Sequence, residues 1–261
     1  MMRSLNTAAS GMIAQQTSVD VIAHNLANVN TTGFRKQRAE FEDLIYQTIR
    51  TPGGTTGEGQ KLPTGIQIGE GVRVVSTTQM HNQGSLLQTY STLDCAIEGN
   101  GFFQITRPGG EIAYTRAGNF RVDAEGRLVT VDGYEVEPAI TIPTDSVHVT
   151  ISPNGTISVT TPGSTATQDV GQLTLAQFVN PAGLLAIGRT MFTPTDASGE
   201  AIVGQPGSEG LGTIASGFLE ASNVEVVNEM IDLIASQRAY EVNQRVITAS
   251  DEMLRRVTER M

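Results

Sequence analysis

The chain has 261 residues, of which 39% are hydrophobic and 5% are aromatic, and it contains no tryptophan. Its net charge of −10 arises in the middle, since residues 51–223 hold 16 acidic and seven basic side chains while both ends are nearly neutral. An acidic middle argues against binding of nucleic acid and against docking on anionic lipid, because both need a basic surface.

A single cysteine, Cys95, excludes an intramolecular disulfide, and we expect it to be a small buried residue. The residues after Met1 lack the apolar run of a secretory signal peptide. No window approaches the roughly 18 consecutive apolar residues of a membrane helix. We therefore expect neither direct membrane insertion nor export through a cleaved signal.

The first thirty residues have the pattern of one helix, with an apolar side chain at every seventh position. These heptad positions are Leu5, Met12, Val19 and Leu26, and such spacing is typical of coiled coils. Because the other faces are small and mostly uncharged, they suit a helix surrounded by further helices or lining an uncharged channel. A plain amphipathic helix folded onto its own domain fits the same pattern equally well.

The next part of the chain, residues 34–75, is predicted to connect the helix to the rest. It carries a glycine-rich insertion at about 46–72 that contains Pro52, Gly53, Gly54 and Gly65. This composition is typical of a flexible linker in an isolated monomer. The alternative is an extended segment that becomes ordered only against neighbouring subunits.

Residues 76–217 alternate short apolar runs with tight turns. We predict strands in 93–105, a hairpin over 120–131, a second hairpin over 147–159, and a further strand at 173–179. Short strands at regular spacing are typical of an all-β barrel or sandwich.

The C-terminal segment 218–261 again repeats an apolar residue every seven positions, without glycine or proline. The repeated residues are Val226, Leu233, Tyr240, Ile247 and Leu254, and Ser222 with Glu225 has the pattern of a capping box. We predict an α+β chain in which 1–33 and 218–261 form a coiled-coil-like helical domain joined to the all-β middle. Such ends would fold on association, and a contact that does not close yields an open helical polymer.

No catalytic, cofactor-binding or metal-binding residues are predicted. The three histidines, His24, His81 and His148, fall in different predicted elements, and no spacing typical of metal ligands is present. We therefore do not expect an enzyme. A monomeric β-fold binding module or enzyme with helical ends remains an alternative of a different class.

Residues 24–35 resemble the signature of the flagellar rod and hook axial proteins. Further stretches that resemble this family lie at 93–103, 114–120 and 237–243. In physical terms residues 24–35 form a helix terminus, where asparagines bond freed backbone groups, a glycine takes positive φ and a phenylalanine anchors the exit. The motif residues are Asn25, Asn28, Asn30, Thr31, Gly33 and Phe34.

Within the family the resemblance is closest to the distal rod type, because the length is short for a hook subunit and the insertion is similar to the rod segment. The resemblance implies a self-assembling, hollow drive shaft in the basal body that spans the periplasm. Implied partners are other copies, proximal rod proteins, the hook or hook–rod junction, the peptidoglycan-layer and outer-membrane bushing rings, and the type III export apparatus. A proximal rod or hook paralogue is the alternative within the family.

Overall fold

The structure, a computed structural model, describes residues 2–53, 63–146, 148–162, 167–208 and 210–259. Within these ranges it contains two long helices at the ends and a strand-rich middle. The expected α+β class is thus confirmed. Gly54, one of the predicted insertion residues, lies outside the described residues.

The two helices are α1, Met2–Ala27, and α2, Val226–Thr258. In α2, Glu229 lies in the first turn and Arg255 and Arg256 lie in the last, which complements the helix dipole. We assigned residues 218–261 to the helical domain, with a capping box at Ser222 and Glu225, but α2 begins after Glu225. Residues 218–220 instead form a strand, because Phe218 and Glu220 pair with Gln88 and Leu86.

The strands are short, and most are paired with an antiparallel neighbour. In chain order they are β1 Gln37–Asp43, β2 Tyr46–Arg50, β3 Ile66–Gly69, β4 Val72–Gln79, β5 Leu86–Gln88, β6 Cys95–Glu98, β7 Phe102–Thr106, β8 Ile112–Thr115, β9 Arg121–Val122, β10 Leu128–Val129, β11 Glu135–Glu137, β12 His148–Ile151, β13 Thr156–Thr160, β14 Thr167–Gln172, β15 Leu175–Gln177, β16 Leu185–Gly188, β17 Met191–Thr193, β18 Ile202–Gly204, β19 Thr213–Ser216 and β20 Phe218–Glu220.

The chain divides into two compact units. The helical unit comprises Met1–Leu26, Gln37–Thr78 and Glu225–Met261, and the β unit comprises Ala27–Lys36 and Gln79–Val224. The segment 37–78 therefore belongs with the helices, whereas we had expected residues 34–75 to be a connecting segment. Residues 218–224 belong with the strands, because β20 supplies hydrogen bonds to β5.

The β unit is built around a nine-stranded sheet whose main path runs β16-β17-β8-β7-β11-β10-β9. Its core is made of fully buried side chains that include Phe103, Phe120, Leu128 and Leu175. The hairpin expected over 120–131 is confirmed as β9 paired with β10. The hairpin expected over 147–159 is confirmed by β12 and β13 in the three-stranded sheet β12-β13-β14.

The helical unit also contains a long antiparallel ribbon, which we call the hairpin arm (residues 37–53 and 63–78). Strand β1 pairs with β4 and β2 pairs with β3. Backbone hydrogen bonds continue between these pairs, from the Leu44 nitrogen to the Gly71 oxygen (2.8 Å) and from the Glu70 nitrogen to the Ile45 oxygen (3.3 Å). The β2–β3 end is exposed on nearly all its residues, with apolar Ile45, Ile49 and Ile66 among them.

Candidate assembly interface

A buried ion-paired cluster in the β unit joins three distant parts of the sequence. The carboxylate of Glu220 accepts a hydrogen bond from Nη2 of Arg35 and another from Nε of Arg116, each at 2.8 Å. All three side chains are at most 4% exposed. Because an unpaired buried charge is costly, this cluster makes the three segments depend on one another.

The guanidinium group of Arg116 also binds backbone carbonyls of the β6–β7 turn. Its Nη1 donates to the oxygens of Gly99 (2.9 Å) and Gly101 (2.6 Å). The cost of burial lowers the pKa of Arg116, and the carboxylate of Glu220 acts in the opposite direction. The stretches 93–103 and 114–120, which the sequence showed as separate motifs, therefore meet at one side chain.

Gly33 is packed directly against the backbone of the segment that carries Arg116. It has φ +69°, and a Cβ there would lie 2.6 Å from the Ala117 nitrogen. The backbone nitrogen of Gly33 donates to the backbone carbonyl oxygen of Glu220 at 2.8 Å. Only glycine meets both demands, so the expected positive φ is confirmed and a close approach is added to it.

The other motif residues divide between helix termination and the hairpin arm. The carbonyl oxygen of Asn28 accepts from the Thr31 nitrogen (3.1 Å), and the Thr31 oxygen accepts from the Phe34 nitrogen (3.2 Å). The Thr31 hydroxyl also donates to Oδ1 of Asn28 at 3.1 Å. Phe34 is half-buried, whereas Asn30 is exposed.

Asn25 is fully buried in the helical unit, where its amide completes the backbone hydrogen bonds of Gln37. Oδ1 of Asn25 accepts from the Gln37 nitrogen at 2.9 Å, and Nδ2 donates to the Gln37 oxygen at 2.8 Å. The same Nδ2 donates to Oε2 of Glu229 in α2 at 3.1 Å. One amide therefore ties the end of α1 to both the hairpin arm and α2.

The predicted capping box is absent, and its residues bind elsewhere. The N-cap of α2 is Glu225, without a side-chain capping bond, and the Ser222 hydroxyl accepts from the Val224 nitrogen at 3.3 Å. Oδ1 of Asn223 accepts from the Lys36 nitrogen at 2.6 Å, and its Nδ2 donates to the Met80 oxygen at 2.7 Å. The side chains of Ser222 and Asn223 thus form hydrogen bonds within the β unit and do not cap α2.

The predicted heptad residues are partly covered within a single chain. Leu5, Met12, Val19 and Leu26 of α1 are half-buried, as are Leu233, Ile247 and Leu254 of α2. Val226 and Tyr240 are exposed, at 39% and 41%. Further exposed apolar residues of α2 are Val227, Met230, Ile231, Ile234, Val242, Val246 and Met253. An apolar surface of this extent is typical of a protein–protein interface.

Hydrogen bonds and one close approach between the helices involve a different set of residues. Two serine hydroxyl pairs, Ser4 with Ser250 (3.4 Å) and Ser18 with Ser236 (3.2 Å), lie across the helix pair. Between them, a Cβ on Gly11 would lie 2.9 Å from Nδ2 of Asn243. The apolar heptads predicted from the sequence are therefore not the residues that make these contacts.

The insertion residues that the structure describes, Pro52, Gly53 and Gly65, lie next to the exposed strands β2 and β3. Pro52 and Gly53 are exposed, and Gly53 has φ +82° with open space around it. Gly65 is enclosed, because a Cβ there would lie 2.5 Å from the Arg50 oxygen and 2.7 Å from Cδ of Pro52. Gly65 therefore permits the two arm strands to approach beside the proline.

Among the described residues, no group of three or more histidine, cysteine or acidic side chains could hold a metal ion. Cys95 is fully buried, and burial raises the pKa of its thiol to about 12. Neither helix, within the described residues, is long and apolar enough to cross a membrane.

Comparison with known proteins decides the family. Three family models match: "Flagella basal body rod protein" over residues 5–35, "Flagellar hook protein FlgE/F/G D1 domain" over 96–159, and "Flagellar basal body rod FlgEFG protein C-terminal" over 215–260. The flagellar basal-body rod protein FlgG of Caulobacter vibrioides is 48% identical over 99% of both chains. Those of Borreliella burgdorferi and Bacillus subtilis are 49% and 42% identical over 97% of both chains.

The chain belongs to the FlgG family of flagellar basal-body rod proteins. The family is a structural one and not a family of enzymes. The matched segments coincide with the parts that the structure brings together. The first contains most of α1 and Arg35, the second contains Arg116, and the third contains Glu220 and α2.

Sequence reasoning missed the residues that join these segments. Arg35 and Arg116 fall inside the recognised motifs, yet nothing in their spacing pairs them. Glu220 lies in the segment 218–261 that we assigned to the helical domain, so nothing in the sequence predicted its burial in the β unit. A charged residue next to an apolar strand is the only cue that the sequence offers for such a partner.

Proposed function

We propose that this chain is a subunit of the distal rod, which polymerises into a rigid, hollow drive shaft that transmits torque to the hook. The observation that carries the proposal is the apolar face of α2, which is exposed from Val227 to Met253 in the single chain. Burial of apolar surface is the main driving force of association. Membership of the FlgG family supports the rod as the place where this face is covered.

Other copies of the chain would supply the missing contacts as a coiled-coil-like inner tube. The predicted assembly residues of α1 are half-buried, so they have surface left for a second helix. The few charges on α1, Arg3 and Asp20 before residue 24, suit an uncharged channel through which exported subunits pass. Heptad packing between copies supplies the rigidity that a drive shaft needs.

The β unit would form the outer layer of the rod. It lies in the acidic part of the chain. Its position in the shaft would bring it inside the bushing rings of the peptidoglycan layer and outer membrane. Proximal rod proteins would bind one end of the polymer, and the hook or hook–rod junction would bind the other. The rod would span the periplasm after type III export without a cleaved signal peptide.

The insertion supports the distal rod over a proximal rod or hook paralogue. It contains β2 and β3 of the hairpin arm, which expose apolar side chains such as Ile49 and Ile66. These side chains would contact neighbouring subunits and restrain bending, whereas a hook must bend. An exposed apolar arm in a lone β-fold binding module would instead be an aggregation hazard.

Electron microscopy of the polymer formed by the purified chain tests the proposal. We expect straight, hollow filaments from the wild type. Leu26→Asp and Ile247→Asp should abolish polymerisation, because a charge buried without a partner costs several kcal/mol. Val131→Asp, at an exposed position of the β unit, is the matched control and should still polymerise. Filaments from either helix variant, or a wild type that stays monomeric, would contradict the proposal.

A further inference from the structure

Three polar contacts and one close glycine approach between α1 and α2 follow a common rule along the helix pair. Each step of seven residues forward along α1 is matched by a step of seven backward along α2. The four opposed pairs are Ser4 with Ser250, Gly11 with Asn243, Ser18 with Ser236, and Asn25 with Glu229. We call this set the polar seam. All eight residues are small or polar, and none belongs to the predicted apolar heptads.

We infer that the polar seam fixes the antiparallel register of the two terminal helices within one chain, and so decides which faces remain for neighbouring copies. A buried polar contact at a heptad position specifies register, because other alignments leave polar groups against the wrong partners. The inference rests on the proposed function, since it concerns how the subunit is prepared for assembly.

A slip by one heptad would disrupt the seam in either direction. In one direction Asn25 would face Ser236, and the buried carboxylate of Glu229 would lose the amide that binds it. In the other direction Glu229 would face Ser18, and Asn25 would lie opposite Ser222, before α2 begins. The Gly11–Asn243 pair would also be lost, because the Asn243 side chain would face Ser18 after a slip in the first direction and Ser4 after a slip in the second.

The last pair of the seam also connects the register to the hairpin arm. Asn25 is held by both backbone groups of Gln37 while it donates to Glu229. The position of α2 along α1 is therefore set relative to the first residue of β1. Apolar heptads alone would tolerate a slip of seven residues, because every repeat presents similar side chains.

Disulfide mapping in the assembled polymer tests this inference. The in-register variant is Ser18→Cys/Ser236→Cys, whose parent hydroxyls are 3.2 Å apart. The control, Ser18→Cys/Asn243→Cys, is displaced by one heptad. Cys95 stays in place because it is fully buried. After mild oxidation, a denaturing non-reducing gel distinguishes disulfides within a chain from those between chains.

We expect the in-register variant to oxidise mainly within one chain, and the control to give roughly a tenth as much product, because a disulfide needs close Cβ atoms. Equal oxidation of both variants, or products only between chains, would overturn the inference. A wild type that did not polymerise would contradict the proposed function, whereas filaments in which both variants oxidise equally would contradict only this inference.

An exchange of side chains supplies a second readout for the case in which cysteine variants assemble poorly. Gly11→Asn places two amides at one pair of the seam and should prevent polymerisation. The double variant Gly11→Asn/Asn243→Gly restores one amide and one glycine, so we expect it to recover filaments. A double variant no better than the single one would show that these positions do not face each other.

Discussion

Nε of Arg116 donates a 2.8 Å hydrogen bond to Oε2 of Glu220, although 104 positions separate the two residues. Oε1 of the same carboxylate accepts from Nη2 of Arg35. The negative charge of one carboxylate is therefore shared by two buried, positively charged guanidinium groups. Loss of this carboxylate would leave both cations in an environment that water does not reach.

We expect Glu220→Gln to lower the free energy of unfolding of the β unit by about 3–5 kcal/mol, the usual cost of breaking a buried ion pair from one side. Chemical denaturation followed by tyrosine fluorescence measures it, since the chain has no tryptophan. Glu111→Gln is the matched control. Its ion pair with Arg107 is exposed on the Glu111 side and should contribute less than about 1 kcal/mol. Similar losses in both variants would contradict the assigned role of Glu220.

The stability of the β unit should depend on pH through His81. Burial, aided by the charges of Arg35 and Arg116, lowers the pKa of His81 from 6.5 to about 4. The imidazole packs edge-on against Phe102 and Phe192, with ring centroids 5.8 and 5.9 Å away. As the pH falls from 6.5 to 4, the unfolded chain binds a proton that the folded chain does not.

Stability should therefore be unaffected by His81 above pH 6.5 and should fall by roughly 3 kcal/mol down to pH 4. Urea denaturation across this pH range measures the slope. His81→Leu keeps the apolar contacts without a titrating group, so its curve should be flatter than that of the wild type. Parallel curves would mean that His81 does not carry this pH dependence.

Gly33→Ala should destabilise the β unit through both backbone strain and a clash. The new Cβ would meet the Ala117 nitrogen at 2.6 Å in addition to the cost of positive φ. We expect a loss above about 2 kcal/mol in thermal or chemical unfolding. Gly133→Ala is the control for backbone strain alone, because Gly133 has φ +83° and no atom lies within 4 Å of an added Cβ. We expect this variant to lose only about 1 kcal/mol. Equal losses would show that the close approach adds nothing.

The terminal helices should be ordered mainly in the polymer. We expect the unassembled chain to lack stable helices at residues 1–30 and 224–261, because the apolar faces of α2 are uncovered and the polar seam is weak by itself. Circular dichroism of full-length and end-truncated monomers tests this. A large helical signal that disappears on truncation would show that the ends fold before assembly.

The sequence by itself determined the two terminal helices and the family, since heptad spacing and contiguous motifs such as 24–35 are local signals. Local pairing also explains why the β12–β13 hairpin was predicted correctly, because its turn residues lie between its own strands. The helix start at residue 226 escaped prediction, since strand β20 takes residues 218–220 through pairing with the distant β5.

Only the tertiary structure decided which side chains meet. Apolar periodicity predicts Leu5, Met12 and Val19 as self-assembly residues, whereas the hydrogen bonds and the close approach across the helix pair involve Ser18, Gly11 and their partners in α2. Periodicity reports that a face will be buried and does not report by what, because packing is selected by shape and hydrogen bonding in three dimensions. Glu220 shows the same limit, since its role depends on two arginines that lie 104 and 185 positions away.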